Sequence, residues 1–358
     1  MKIIKSVRDH VFPSGLVFFD IETTGLSPRT SSLYLIGAMR NEEEKCVLTQ
    51  FFADAQSEEK QLLEAFVSYL SPEETLVHFN GTTFDIPYLD HKFKVHGIDH
   101  YINPDKTEDL YREIAHYKKY LPLENLKLKT VEAAAGFKRS DTYEGAELIK
   151  LYANFIGRVR LASITKKTED TENAESILKS ILLHNSDDLE GLLAVYKKTN
   201  IGAALTGNFD FHTDITPFDL TISVNTPLFP AEFEFEHSLY TLSNGKKSCE
   251  LIVHVKEGPL KYFFQDYKNY TYVIDKDMCM HNSVVSGIAK ENKKKCTKET
   301  AYIKKPGRFI PLPKALADVA AEKGFKLFKE EYNDKTFYIE INEDHEFLKE
   351  YAICLLRG

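Results

Sequence analysis

Two carboxylates set two residues apart, Asp20 and Glu22, close the apolar run Leu16-Val17-Phe18-Phe19. On a β-strand such a pair leaves from one face while Ile21 leaves from the other. Charge at the end of an apolar strand costs free energy unless a cation offsets it, and a hard divalent ion accepts oxygen ligands. Taken alone, the pair also fits a strand end reaching solvent. The sequel changes that reading. Asp85 arrives in Asn80-Gly81-Thr82-Thr83-Phe84-Asp85, after another apolar run, and His184 and Asp188 then stand one helical turn apart. Asp188, not Asp187, shares the stripe of Ile177, Ile181, His184, Leu192 and Val195.

Four such carboxylates can hold two ions about 3.5 to 4 Å apart, the arrangement that hydrolyses phosphodiesters. Histidine titrates in the range of a general base, so His184 is expected to take the proton of the attacking water. The expected cofactor is therefore a pair of Mg2+ or Mn2+ ions on Asp20, Glu22, Asp85 and Asp188.

The elements that must position these residues follow from periodicity. Leu16 to Glu22, Leu33 to Met39 and Cys46 to Phe52 read as three strands of a meander. Ser57 is placed to cap a helix over Lys60 to Leu70, with Leu62, Leu63, Phe66 and Leu70 at helical spacing. A strand Thr75 to Phe79, a helix from Phe84 to Val95 and a short strand Asp109 to Tyr111 follow. Leu126 to Phe155 reads as helical, Lys166 to Asn173 as a polar stretch, and Ala174 to Lys198 as a further helix. The order β-β-β-α-β-α-β-α predicts an α/β class: an RNase H-like mixed sheet flanked by helices.

The pattern breaks around Gly202, Gly207 and Pro217, which divides the chain into a domain over 1–200, a linker over 201–216 and a domain over 217–358. The second is smaller, strand-rich and α+β: residues 231–241 alternate, Asn244-Gly245 is a hairpin signal, and strands are expected at Leu251 to Val255, Tyr262 to Phe264 and Tyr270 to Ile274. Helices are expected near Lys314 to Lys323 and Asp344 to Leu356, around a hairpin at Asn333-Asp334.

Three strings, Asp20-Ile21-Glu22-Thr23, Asn80 to Asp85 and His184 to Asp188, resemble the exonuclease motifs of the DEDD superfamily. With Phe19 to Leu26, Asn80 to Leu89 and Leu126 to Glu132 added, residues 10–200 are similar to the bacterial YprB-type RNase H-like exonucleases. That resemblance implies a two-metal 3′→5′ exonuclease with His184 as general base. It also implies that Thr23, Leu26, Asn80 and Phe84 meet the terminal nucleotide; Thr23 and Leu26 read equally as a turn residue and a core leucine. The chain departs from the histidine branch of the superfamily in one respect. Three residues, not four, separate His184 from the final acid, and Leu189 stands at the usual position of that acid.

Composition bounds the alternatives. With 358 residues, 43% apolar and 28% charged, the chain is an ordinary globular protein of two-domain size. Residues 1–14 lack an apolar signal core and no run of about 18 apolar residues occurs, so the expected location is the cytoplasm, with no membrane partner. Five widely spaced cysteines contain no C-x-x-C pair and read as reduced thiols. The net charge of −8 suits a carboxylate centre and leaves phosphate binding to local basic stretches. The most basic lies between Lys290 and Arg308. It reads either as a phosphate track with Tyr302 and Phe309 stacking on bases, or as a solvated helix face.

The expected activity is hydrolysis of DNA or RNA from the 3′ end to nucleoside 5′-monophosphates, with single-stranded DNA as substrate and DNA repair, beside a helicase, as setting. Two other readings stay open: an endonuclease of the same fold, and a catalytically silent module that binds nucleic acid or a partner.

Overall fold

The computed structural model describes residues 1–43 and 45–357. They divide into two units, Met1–Thr199 and Asn200–Gly358.

The first unit is built on a six-stranded mixed sheet. Its strands are β1 (Lys2–Arg8), β2 (Leu16–Thr23), β3 (Leu33–Glu42), β4 (Lys45–Phe52), β5 (Thr75–His78) and β6 (Thr107–Asp109), in the order β1-β4-β3-β2-β5-β6. β2 lies between antiparallel β3 and parallel β5. The sheet is covered by α1 (Glu59–Tyr69), α2 (Asp85–His96), α3 (Leu110–Ala115), α4 (Leu128–Ala134), α5 (Gly145–Thr165) and α6 (Thr168–Lys198).

Strand alternation sorts the side chains of β2. Phe19 and Ile21 enter a core with Leu62, Phe66, Leu89 and Phe93 of α1 and α2. Phe18 leaves on the opposite side, where its ring meets Tyr196 of α6 at 5.2 Å between centroids. Asp20 and Glu22 follow that side. The core there joins Tyr34, Leu35 and Phe52 of the sheet to Leu148, Tyr152 and Phe155 of α5 and Ile181 of α6. Burial of each such side chain contributes about 1.5–3 kcal/mol, so α6 is fixed against the face from which both acids project.

Several expectations need correction. β1 was not expected; its KIIKSVR pattern is mostly exposed, so it carries little apolar contrast, yet it pairs along its whole length with β4. Glu58, not Ser57, is the N-cap of α1, after a 3-10 turn over Gln56–Glu58. The short strand ends at Asp109, whose carboxylate then caps α3 by accepting from Tyr111 N at 3.2 Å. The stretch 126–155 is two helices with a loop between, because Gly136, at φ 86°, turns the chain out of α4. The polar stretch 166–173 is mostly the first turns of α6, where Asp170 accepts from Thr165 Oγ1 at 2.8 Å.

The second unit is strand-rich. β7 (Phe211–Ile215), β8 (Asp219–Val224), β9 (Phe233–Glu236), β10 (Tyr240–Asn244) and β11 (Cys249–His254) form one sheet, ordered β7-β8-β11-β10-β9. β10 and β11 form the hairpin expected at Asn244-Gly245. β12 (Lys256–Phe263), β16 (Tyr302–Leu312) and β17 (Phe337–Glu340) make a second sheet, and β13 (Tyr270–Val273), β14 (Met278–His281) and β15 (Lys293–Lys295) a third. The helices are α7 (Ile201–Thr206), α8 (Ala317–Glu322) and α9 (His345–Arg357). Residues 201–216, expected as a linker, thus carry α7 and the edge strand β7.

The basic stretch 290–308 is a 3-10 turn, the short strand β15, a loop and the first part of β16, not a helix face. Tyr302 and Phe309 are buried and cannot stack on bases. Lys304 pairs with Asp277, Lys305 reaches Glu340 at 2.6 Å, and Arg308 donates to the carbonyl of Thr216. No helix among the described residues is long and apolar enough to cross a membrane.

Candidate active site

Asp20 and Glu22 stand near the C-terminal end of β2, paired opposite Gly37 and Leu35 of β3. Gly37 has a steric reason. A Cβ there would lie 2.1 Å from Asn185 Oδ1 and 2.7 Å from Leu189 Cδ1, so only glycine lets α6 approach the sheet this closely. Asn185, which is fully buried, spans the junction. Its Nδ2 donates to Asp20 Oδ2 at 3.1 Å, while its Oδ1 accepts from Gln50 Nε2 at 2.9 Å.

Asp85 reaches the cluster from the next strand. β5 ends at His78, and the chain turns through Asn80, held at φ 62°, before α2 starts at Asp85. Asp109 at the end of β6 organises that turn: its carboxylate accepts from Asn80 N at 2.8 Å, Thr82 N at 3.2 Å and Thr82 Oγ1 at 2.7 Å. The turn's polar backbone is thereby satisfied without a strand partner.

α6 supplies the remaining groups. His184 Nε2 lies 3.2 Å from Asp188 Oδ2 and 3.7 Å from Glu22 Oε1. One donor atom each of Glu22, His184 and Asp188 falls within 4.8 Å of the others, a set able to hold a metal ion. His184 Nδ1 is 2.5 Å from Asp141 Oδ2, so both ring nitrogens are engaged and the ring is buried.

The loop between α4 and α5 is the part that sequence reasoning missed. Arg139 pairs with Asp188 and Glu132, and its Nη1 lies 3.6 Å from Asp141. Asp187, set aside in favour of Asp188, holds this loop: its Oδ2 accepts from Ser140 N and Asp141 N, each at 2.7 Å. The available signal was Gly136 followed by a polar run inside a stretch read as continuous helix.

Charge at the site is lopsided. Burial pushes the Asp20 carboxyl well above its ordinary range, and Asp188, Glu22 and Asp85 add repulsion against the weaker opposing bond from Asn185. Burial, then Asp188, raise Glu22 to about 8 although His184 opposes. Burial raises Asp85 to about 7 against hydrogen bonds from its own amide and that of Ile21. Asp188 moves the other way: burial alone would raise it, but His184 and Arg139 hold it low. Burial would depress His184, yet Asp188, Glu22 and Asp141 raise it to about 9. A crowded set of oxygen donors short of positive charge fits divalent cations. Asp20, Glu22, Asp85 and Asp188 would hold them.

The expected substrate contacts differ in exposure. Leu26 is 85% exposed. Thr23 is buried and spends its hydroxyl on Gly25 O at 2.9 Å. Asn80 Oδ1 accepts from Thr83 Oγ1 at 2.8 Å, and Phe84 packs against the α1–α2 core. Beside Asn80 a groove of about 420 Å³ is lined by Phe79, Tyr111, Lys118 and Lys127.

Among curated proteins none matches this sequence. Solved structures similar in part include a family B DNA polymerase from Pyrobaculum calidifontis (14% identity, 74% of this chain, 36% of that one, TM-score 0.38). An exonuclease I structure is 13% identical over 64% of this chain and 55% of that one, with a TM-score of 0.31. Escherichia coli exonuclease I with a 5cy-dT13 oligonucleotide is 14% identical over 96% of this chain and 70% of that one, TM-score 0.29. The chain thus spans about a third of the polymerase and about half of the first exonuclease. Residues 17–200 match the RNase_H_2 family model, described as RNase_H superfamily. They contain the sheet apart from its edge strand β1, together with α6 and all five groups of the cluster, and the chain belongs to the RNase H superfamily.

Proposed function

We propose that the first unit is a two-metal 3′→5′ exonuclease that shortens single-stranded DNA to nucleoside 5′-monophosphates, with a role in DNA repair. The observation that carries this reading is the mutual repulsion of Asp20, Glu22, Asp85 and Asp188, from β2, α2 and α6, in an RNase H superfamily domain where Glu22 and Asp188 stand close enough to share an ion with His184. Bound there, the ions supply an activated water and charge stabilisation of the leaving oxygen. The motif order and the three-residue gap between His184 and Asp188 support the YprB-type branch and a 3′ end as the point of attack.

The chain's own residues do the rest. Asn185 fixes the rotamer of Asp20, and Asp109 fixes the turn that presents Asp85. Exposed Leu26 would wedge against a terminal base. Phe79 and Tyr111, with ring centroids 5.7 Å apart, and exposed Lys118 and Lys127 offer stacking faces and cations for the strand behind it.

The test is a 5′-labelled oligonucleotide incubated with Mg2+ or Mn2+. A ladder shortening from the 3′ end is expected, lost in Asp20→Ala, Asp188→Ala and excess EDTA. Equal degradation in those variants, or cutting of a circular strand, overturns the reading.

A further inference from the structure

We propose that His184 is a direct nitrogen ligand of an ion shared with Glu22 and Asp188, and that Asp141 is the positioning residue that aims it. The inference rests on the two-metal reading above and goes beyond it by naming the donor set and the kind of ion it selects.

The ring is fixed from behind. Asp141 Oδ2 accepts from Nδ1 at 2.5 Å. The other oxygen of Asp141 accepts from Tyr143 N at 3.0 Å, and its own amide is tied to Asp187 of α6 at 2.7 Å. With Nδ1 donating to a carboxylate, Nε2 faces forward, and an ion entering there takes the place of the proton that Asp188 and Glu22 favour on the free ring, the arrangement in which a histidine binds metal through one nitrogen and is oriented through the other.

The forward side is already a ligand cage. Nε2 faces Asp188 Oδ2 at 3.2 Å and Glu22 Oε1 at 3.7 Å, and the three atoms lie within 4.8 Å of one another. Ligand bonds of about 2.0–2.2 Å close such a triangle with small movements. A general base needs open space in front of its nitrogen for the water it deprotonates, and here two carboxylate oxygens occupy that direction. The helical spacing is the cause: at i and i+4, His184 and Asp188 lie one above the other over the same point. Arg139 takes Asp188 Oδ1 and leaves Oδ2 facing His184.

An imidazole nitrogen among carboxylates favours transition ions over Mg2+, which takes oxygen donors and keeps its waters. Mn2+ therefore suits this site better than Mg2+, and loss of Asp141 should weaken Mn2+ binding by about 10–100-fold, the usual effect of removing a group that orients a ligand.

The experiment is electron spin echo envelope modulation on the full chain loaded with Mn2+ alone, without substrate. The expected result is 14N modulation that converts to the 15N pattern when histidine is supplied labelled with 15N, which needs no variant. His184→Gln should abolish the modulation, and Asp141→Asn should weaken Mn2+ binding far more than Asp141→Glu. Bound Mn2+ without histidine modulation, or modulation that survives His184→Gln, overturns this inference and leaves the two-metal reading standing. Failure of the folded chain to bind either Mn2+ or Mg2+ overturns the two-metal reading itself.

Discussion

Asn185 and Asp20, 165 residues apart in sequence, are joined by a side-chain hydrogen bond of 3.1 Å that sets the direction of the first carboxylate. Gln50 holds the same amide from the other side at 2.9 Å. Asn185→Ala therefore releases Asp20 and leaves a buried amide of Gln50 with one partner fewer. The expected result is a fall of about ten- to a hundredfold in kcat/KM, equivalent to about 1.4–2.7 kcal/mol of transition-state stabilisation. Unfolding in urea should report a further stability loss of about 1–3 kcal/mol. A variant with wild-type kinetics would contradict the positioning role.

Arg139 is a second structural keystone. Glu132 is almost fully buried beneath it, and Asp188 shares it. Arg139→Ala strands a buried carboxylate, a change that costs about 3–5 kcal/mol. Pairing it with Glu132→Gln should recover part of that loss, because the stranded charge goes with it. Denaturant midpoints of the two single variants and the double variant measure the coupling; simple additivity would show that Arg139 and Glu132 act independently.

Glu59 links three elements at a distance from the metal cluster. Its carboxylate accepts from Leu33 N at 2.7 Å and pairs with Lys92 at 2.9 Å and His96 at 2.8 Å, tying α1 to β3 and to α2, the helix that begins with Asp85. Burial would raise its pKa, but the bonds from His96, Leu33 and Lys92 prevail and hold it below the ordinary range. With a folded value below the unfolded value of about 4.3, the stabilisation is present above that pH and lost as pH falls through the folded value. Glu59→Gln should cost about 1–3 kcal/mol at pH 7, and the gap from wild type should close below about pH 4. Thermal or urea unfolding across this range is the check; a gap that widens on acidification would reverse the sign argued here.

Lys118 and Lys127 flank the groove beside Asn80. If the strand passes there, Lys118→Ala and Lys127→Ala should each lower the slope of log affinity against log salt by about 0.7, the counterion release per phosphate of a single strand. Fluorescence anisotropy with the Asp20→Ala protein, which leaves the strand uncut, gives the slopes. Unchanged slopes would place the strand elsewhere.

The strand that carries Asp20 and Glu22 and the helix that carries His184 and Asp188 were legible in the sequence for the same reason: their signals are local. Alternation around Asp20 and Glu22, and helical spacing between His184 and Asp188, each survive in a window of a few residues. The loop bearing Arg139 and Asp141 was hidden because its purpose depends on partners some 45 residues downstream, which periodicity does not register. β1 was hidden for a related reason: its stability comes from backbone pairing with β4, while its side chains are too exposed to give a pattern. Tyr302 and Phe309 misled because an aromatic beside lysines reads the same whether it faces solvent or, as here, the interior.

The pairing of Arg8 with α6, to Glu190 at 2.7 Å and Ser186 at 3.0 Å, binds the first strand of the sheet to the last helix of the unit. A growing polypeptide delivers Asp20 and Glu22 early and Asp188 only when most of the unit has been made, so loop closure over this separation must precede any working cluster. The ribosome therefore releases the carboxylates in instalments. During translation the half-made unit holds an incomplete cluster, and its last carboxylate joins only when α6 docks.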